Sequence, residues 1–387
     1  MRPGQAKGPS VGPLSGGGGG GIDVFDTYAD LVAANPSSGF AWLKGFGEFQ
    51  KWEARWLPSA QTANHKLFQY MIDYVGKGNQ RSYTCPAGQF VDVIPCPVNG
   101  AILGISPVGP NNIIRSVDGG LSWSTAAVAA AQWRTACSSV NNGWIYAFNV
   151  DLPLQRAAIS IDNGATWTLE ATPVLANITW RSACWDWGHD RVVCVGYGSA
   201  TNQNAMFKQD TGSWSLGTTA NNNDLLGVCF DTKRNRLVAV GNAGGVDRCQ
   251  ISTDGGSTWS TRNMPSASSW ISVCYSSIRD RLFAVAFAGP DRMAYSDDGG
   301  DTWVADPSFS AYSLFDVAEV TDWCRIVCVD ASGLMLYSDD YGAGWNNTVG
   351  GAGMGACYSL GYDPSKKALL VGGLGAPYIT RTAGNNL

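Results

Sequence analysis

A short turn sequence returns along this chain at an almost constant interval. Ser116-Val117-Asp118-Gly119-Gly120-Leu121-Ser122-Trp123 recurs as Ser160-Ile161-Asp162-Asn163-Gly164-Ala165-Thr166-Trp167, as Ser252-Thr253-Asp254-Gly255-Gly256-Ser257-Thr258-Trp259 and as Ser296-Asp297-Asp298-Gly299-Gly300-Asp301-Thr302-Trp303. Ser338-Asp339-Asp340-Tyr341-Gly342-Ala343-Gly344-Trp345 is a fifth copy without the hydroxyl before its Trp. Gln209-Asp210-Thr211-Gly212-Ser213-Trp214 is a shortened copy, and Thr380-Arg381-Thr382-Ala383-Gly384 a remnant. The Asp or its equivalent stands at 118, 162, 210, 254, 298, 340 and 382, so the steps are 44, 48, 44, 44, 42 and 42 residues. Self-similarity at such a period marks a repeat architecture, and the steps define seven units.

A second signature, a short apolar strand, runs at the same period: Trp133-Arg134-Thr135-Ala136-Cys137, Trp180-Arg181-Ser182-Ala183-Cys184, Leu225-Leu226-Gly227-Val228-Cys229, Trp270-Ile271-Ser272-Val273-Cys274 and Gly355-Ala356-Cys357. A second strand follows within about ten residues, as in 236–241 and 281–286; a third leads into the Ser-Xaa-Asp turn and a fourth leaves it. One four-stranded meander cannot bury both faces. Packing seven of them radially does so and leaves only short edges, which is a β-propeller. Too few residues follow Thr382 to finish the last unit, so residues near 81–89 are expected to supply its outer strand. The turn has a physical reason at each place: the Asp accepts from turn amides, the Gly takes positive φ, and the Trp packs back over the sheet.

This turn resembles the Asp-box (BNR) repeat of sialidase-like propellers, of some xyloglucan-type glycoside hydrolases, of sortilin-type receptors and of plant photosystem-assembly propellers. The resemblance spans about residues 82–387 and implies an all-β, seven-bladed propeller with Asp-box hairpins. In those families the box lies on the face opposite the ligand site, so Asp118, Asp162, Asp210, Asp254, Asp298 and Asp340 are expected to be structural.

Charge and composition narrow the chemistry. Charged residues are 15% of the chain and the formal net charge is -5; Lys and Arg are scattered, so no footprint for nucleic acid appears. Neither an apolar signal region nor a run of 18 apolar residues is present, which leads to a chain made in the cytoplasm without membrane insertion. The chain holds two histidines, His65 and His189, and four glutamates, Glu48, Glu53, Glu170 and Glu319. Acid and base groups for catalysis are therefore scarce. The eleven cysteines, of which Cys137, Cys184, Cys229, Cys274 and Cys357 read as equivalent repeat positions, are expected to be small buried residues rather than disulfides or ligands; Cys85 and Cys96 are a further conceivable pair. The acids Asp297, Asp298, Asp301, Asp339 and Asp340 are expected to serve turns rather than calcium, and His189 to sit in a solvated turn. No catalytic residue, metal site or cofactor is expected.

Candidate ligand-face residues are Trp133, Trp180 and Trp270, which open their inner strands, and Arg156, Arg248 and Arg292, in the loops between second and third strands. Sialidases hold a carboxylated sugar with three arginines, but they add a Tyr/Glu pair and an Asp acid. With only Glu170 and Glu319 in the propeller, that set is incomplete.

Residues 1–21 end in six glycines and read as a flexible Gly/Pro-rich tail. Residues 22–80 read as a small N-terminal β/α attachment module, and 81–387 as the propeller. The aromatic segments Gly39-Phe40-Ala41-Trp42-Leu43, Gly47-Glu48-Phe49-Gln50-Lys51-Trp52 and Arg55-Trp56-Leu57-Pro58 resemble a small module of bacteriophage tail-fibre and other virion proteins. Leu67, Tyr70, Met71, Tyr74 and Val75 follow with helical spacing, predicting an amphipathic helix over 61–76. The resemblance implies a tail-associated virion structural protein, homo-oligomeric, attached to other virion proteins through its N-terminal region and displaying the propeller toward a host-surface glycan or protein. The alternatives are a sialidase-like carbohydrate-active or glycan-binding propeller and a cellular assembly scaffold.

Overall fold

A computed structural model describes residues 23–25, 40–43, 47–52, 55–58, 82–84 and 89–383, apart from 97, 99, 109–111, 121, 151–155, 174–177, 199–200, 243–245, 322–324, 341, 348–355, 365–367 and 375–377. The chain divides into two compact units, residues 1–73 with Leu387 and residues 74–386. In the first, β1 (Asp23–Phe25), β2 (Phe40–Leu43), β3 (Gly47–Trp52) and β4 (Arg55–Pro58) form one sheet in that order, with β1 parallel to β2 and the other pairs antiparallel. The tail over 1–21 and the helix expected over 61–76 lie outside the described residues.

In the second unit, Val, Ile, Ala and Leu runs punctuated by Asp, Gly and Asn turns make antiparallel meanders. β5 (Ser82–Thr84) is followed by six four-stranded sheets, each from one continuous run of chain. These are β6 (Asp92–Cys96), β7 (Ala101–Ile105), β8 (Ile113–Ser116) and β9 (Ser124–Thr125); β10 (Trp133–Ser138), β11 (Ile145–Asn149), β12 (Ala157–Ser160) and β13 (Thr168–Glu170); and β14 (Thr179–Asp186), β15 (Arg191–Tyr197), β16 (Ala205–Gln209) and β17 (Ser215–Gly217). Then come β18 (Asp224–Asp231), β19 (Arg236–Asn242), β20 (Cys249–Ser252) and β21 (Ser260–Arg262); β22 (Ser269–Ser276), β23 (Arg281–Ala288), β24 (Met293–Ser296) and β25 (Val304–Ala305); and β26 (Leu314–Val320), β27 (Arg325–Asp330), β28 (Met335–Ser338) and β29 (Asn346–Asn347). A further sheet is composite: β30 (Ala356–Asp363), β31 (Ala368–Leu374) and β32 (Tyr378–Ala383) are completed by β5, which pairs antiparallel with β32. The unit is an all-β propeller. Its one helical element among the described residues is the 3-10 turn Pro307–Phe309.

Second strands such as β7, β11 and β19 are buried almost throughout. Both of their faces meet neighbouring blades, which is why they read as unbroken apolar runs and not as alternation. The Ser-Xaa-Asp turns follow the sequence argument closely. In the first, the Ser116 hydroxyl donates to Asp118 Oδ1 at 2.7 Å and accepts from the Gly120 amide at 2.8 Å. Ser122 donates to Asp118 through its amide at 2.9 Å and its hydroxyl at 2.5 Å, and Trp123 Nε1 donates to the Gly120 carbonyl at 3.1 Å. The same bonds recur around Asp162, Asp254 and Asp298. Gly119 and Gly120 lie at φ +76 and +88, a pair of left-handed residues that explains the Gly-Gly and Asn-Gly at this place. At Asp340 the bonds from Ser338 and the Gly344 amide remain, but Gly344 has no hydroxyl to donate.

Candidate functional site

The first strands β6, β10, β14, β18, β22, β26 and β30 line one central channel, a cavity of about 550 Å³. Each faces the channel as a sheet edge, and most carry a bulge: the register shifts at Arg134, Arg181, Leu226, Ile271, Phe315 and Tyr358. The residue after each bulge is Thr135, Ser182, Gly227, Ser272, Asp316 and Ser359, and Asp92 holds the matching place in β6. These side chains form a polar belt between neighbouring blades. The Val93 amide donates to Ser359 Oγ at 3.1 Å, and that hydroxyl donates to Asp92 Oδ1 at 3.1 Å; the Val228 amide donates to Ser182 Oγ at 3.2 Å. Ser272 Oγ donates to Asp316 Oδ1 at 2.6 Å, and the Leu360 amide to Asp316 Oδ2 at 2.7 Å. The belt thus satisfies edge amides that a closed ring would otherwise leave unpaired. At Gly227 no side chain is present, and an added Cβ would stand 2.9 Å from Ile271 O and from Ser272 Cα, because the backbones approach closely there.

Burial sets the electrostatics. It raises the Asp92 carboxyl above its usual range against the hydrogen bonds from Thr135 and Ser359, and it pushes Asp316 up to about 6. A carboxyl raised in the folded state stabilises fully below its unfolded value and loses that contribution as pH rises through the folded one. For Asp316 the loss runs from about pH 4 to about pH 6. The variant Asp316→Asn keeps the shape and removes the charge. Urea denaturation across this window is expected to show wild-type stability falling by on the order of 2 kcal/mol relative to the variant; parallel curves would contradict it.

Two arginines stand in the same channel. Arg134 and Arg181 occupy adjacent bulges, in β10 and β14. Burial lowers the Arg181 guanidinium, and the charge of Arg134 lowers it further, while Tyr197 and Asp92 act in the opposite sense. Among the described residues neither side chain makes a hydrogen bond or an ion pair, and Arg134 Nε is buried without a partner. Leu226, Ile271, Phe315 and Tyr358 line other parts of the wall. Phe315 lies 4.3 Å from Tyr358 and 5.0 Å from the exposed Phe287, centroid to centroid. The register Ser138, Ile145, Ser160 puts the Asp162 turn at the far end of β10 from Arg134.

The residues singled out from sequence fall elsewhere. Trp133, Trp180 and Trp270 are fully buried, each wedged against the preceding blade, so none offers a face to a ligand. The three arginines outside the channel do not converge. Arg156 donates to the Ile178 carbonyl just before β14, and Arg248 to the Ser268 carbonyl just before β22 at 2.5 Å, each tying its blade to the next. Arg292 donates to the Phe287 carbonyl at 2.7 Å in its own blade. Asn204, six residues before Asp210 as Arg248 is before Asp254, makes the same link to the Asn223 carbonyl at 2.9 Å. Asp210 differs from the other turn acids. Its carboxylate accepts from Tyr146 at 2.7 Å and Asn142 at 2.6 Å, both of the preceding blade.

Cys137, Cys184, Cys229 and Cys274 share one register position, but Cys357 does not: it stands opposite Gly373 at the place of Trp133, and Gly361 takes the equivalent position. All five are free, as is Cys96, and burial pushes their thiols up; Cys85 lies outside the described residues. The acids weighed for calcium are engaged by arginines, Asp297 with Arg281, Asp301 with Arg236 and Arg262, and Asp339 with Arg325. His189 Nδ1 lies 2.9 Å from Asp186 Oδ2. Glu170 is held by Lys208 and Trp214, and Glu319 by Ser276 and Ser277.

No family model and no curated protein matches the chain. Solved structures share its fold. A YCF48 bound to D1 peptide superposes with a TM-score of 0.60 at 15% identity, covering 80% of this chain and 96% of that one. YCF48 from Cyanidioschyzon merolae gives 0.58 at 14% identity, covering 79% and 99%. The Cps50 (Swd1) β-propeller domain of Myceliophteria thermophila gives 0.59 at 10% identity, covering 79% and 98%, and at these identities the likeness is one of fold: the chain carries a β-propeller.

Proposed function

We propose that this chain is a non-catalytic, tail-associated bacteriophage virion protein, homo-oligomeric, whose N-terminal region attaches to other virion proteins and whose propeller is displayed for binding a host-surface partner. The observation that carries the division of labour is the composite sheet. β5, the first described strand after the N-terminal sheet, closes onto β32. We read the six continuous sheets and this composite one as a seven-bladed ring that satisfies its own edges, so attachment falls to the residues before β5. The hydrogen-bonded turns around Asp118, Asp162, Asp254 and Asp298 support reading the repeats as Asp-boxes.

Binding rather than hydrolysis is supported by the engagement of Glu170 and Glu319 in bonds between blades and by the separation of Arg156, Arg248 and Arg292. Peptide binding by one of the similar propellers, the YCF48 with its D1 peptide, supports a protein partner over a glycan.

Particles reconstituted with a chain lacking residues 1–80, which keeps β5, test the reading. The expected result is a propeller that melts cooperatively yet stays out of the particle. Incorporation at the wild-type level would place attachment on the propeller, and glycan hydrolysis by the purified full chain would replace the binding role with an enzymatic one.

A further inference from the structure

The two unpartnered arginines of the channel are costly as they stand. Arg134 and Arg181 are adjacent, alike in charge and half-buried, Arg134 Nε is shut off from water without a partner, and neither side chain has a carboxylate or carbonyl within bonding distance among the described residues. Every other arginine whose contacts were described above is tied down, to Asp297, Asp301, Asp339 or a backbone carbonyl. Asp92, the nearest acid to act on Arg181, is turned to Thr135 and Ser359, and Asp316 to Ser272 and Leu360. Two like charges held side by side, each partly stripped of hydration and with nothing in return, are expected where an anion completes them.

The rest of the wall says which anion. Beyond the arginines it offers an apolar stretch of Leu226, Ile271, Phe315 and Tyr358, with the exposed Phe287 beside Phe315, set among polar groups that include Gln89 and Ser138. On that stretch a sugar would leave hydroxyls unmatched, whereas an apolar group gains by leaving water there. The volume of about 550 Å³ admits a few residues of peptide.

We propose that the channel mouth binds the C-terminal α-carboxylate of a peptide with an apolar last residue, the carboxylate bridging Arg134 and Arg181 and the side chain lying on the wall formed by Ile271, Phe315 and Tyr358. This deepens, and rests on, the reading of the propeller as the part that takes a ligand; it is separate from how the chain is attached.

Calorimetric titration of the full chain with N-acetyl-Ala-Ala-Phe as the free acid, and with the same peptide as its amide, tests it. The acid is expected to bind at least about tenfold more tightly than the amide, with the difference shrinking as salt rises. Arg134→Gln and Arg181→Gln are each expected to weaken the acid by about tenfold or more. Because each change relieves repulsion in the free protein, the melting midpoint is expected to stay level or rise, which arginines serving the fold would not show. Equal binding of acid and amide, no binding of either, tighter binding of N-acetylneuraminic acid, or a melting midpoint lowered by Arg134→Gln would each overturn the proposal. Its failure with particle incorporation still dependent on residues 1–80 would leave the attachment role standing.

Discussion

Replacing Gly241 with alanine is expected to destabilise the propeller by more than about 3 kcal/mol, one of the larger single-residue effects this fold can show. A Cβ at 241 would fall 1.6 Å from the Asp224 carbonyl oxygen and 3.0 Å from Leu225 Cα, both of them backbone. The cause is the bulge between Leu225 and Gly227, which drives the inner strand toward its partner. Gly196 stands in the same register position opposite Trp180, and a Cβ there would meet the Thr179 carbonyl at 2.2 Å. In the blade of β22 the equivalent residue is Ala286, and there the register shifts a second time, between Ser269 and Trp270. The added shift makes room for a methyl. In the blades of β10 and β26, where Asn149 and Asp330 hold this position, the ladder ends at the bulge. Gly241→Ala therefore has to create a second irregularity, end the ladder there or lose the bulge, whereas Ala286→Gly is expected to cost about 1 kcal/mol or less. Thermal and urea denaturation of both variants check the contrast; a Gly241→Ala protein as stable as Ala286→Gly would show that the bulge relaxes freely.

A loss of about 3 kcal/mol is likewise expected from Lys208→Met. Lys208 is 5% exposed and ion-pairs with Glu170 of the preceding blade, whose side chain is 20% exposed. Glu170 also accepts from Trp214 Nε1 at 2.9 Å, and the lysine ammonium lies 5.7 Å and 5.8 Å from the Tyr146 and Trp214 rings. Removing the lysine leaves a carboxylate with one neutral donor in a mostly closed site, and the partial exposure of Glu170 keeps the cost near the lower end of the range for broken buried pairs. The double variant Lys208→Met with Glu170→Leu removes both charges and is expected to regain most of the loss. A single variant within about 0.5 kcal/mol of wild type would mean that water already screens the pair.

The turns were legible in the sequence because each of their atoms has one local job: Asp118 can be assigned its donors from Ser116 and Ser122 alone. Asp210 escaped that logic because its copy lacks the Ser two places before the acid, which freed the carboxylate for Tyr146 and Asn142. Trp133, Trp180 and Trp270 were misplaced because an aromatic at the start of an inner strand looks the same whether it faces the channel or the neighbouring blade. Only the bulge, which no residue type announces here, turns the tryptophan outward and its successor inward. That same bulge hid the significance of Arg134 and Arg181, although the repeated Trp-Arg pair was in plain view. It also misaligned Cys357, whose strand has the same bulge one residue further on. The roles of Arg156 and Arg248 could have been inferred from Asn112 and Asn204, which fill their repeat position with side chains suited to bonding a carbonyl and not to collecting a carboxylate.

The composite sheet also governs how the molecule comes to be folded. Thr380 pairs with Ser82, 298 positions earlier (380 − 82), so the ring cannot close while the chain is still being synthesised up to that point. Blades emerging from the ribosome can fold one after another against their neighbours, but the Val93 amide of β6 waits for Ser359 of β30, and β5 waits unpaired until Tyr378–Ala383 arrives. During that interval the nascent protein presents an unpaired β5, and another chain on the same messenger carries a β32 that matches it. Closure within one chain must then outpace exchange between chains, which makes the rate of translation past β30 and the crowding of nascent copies determinants of yield.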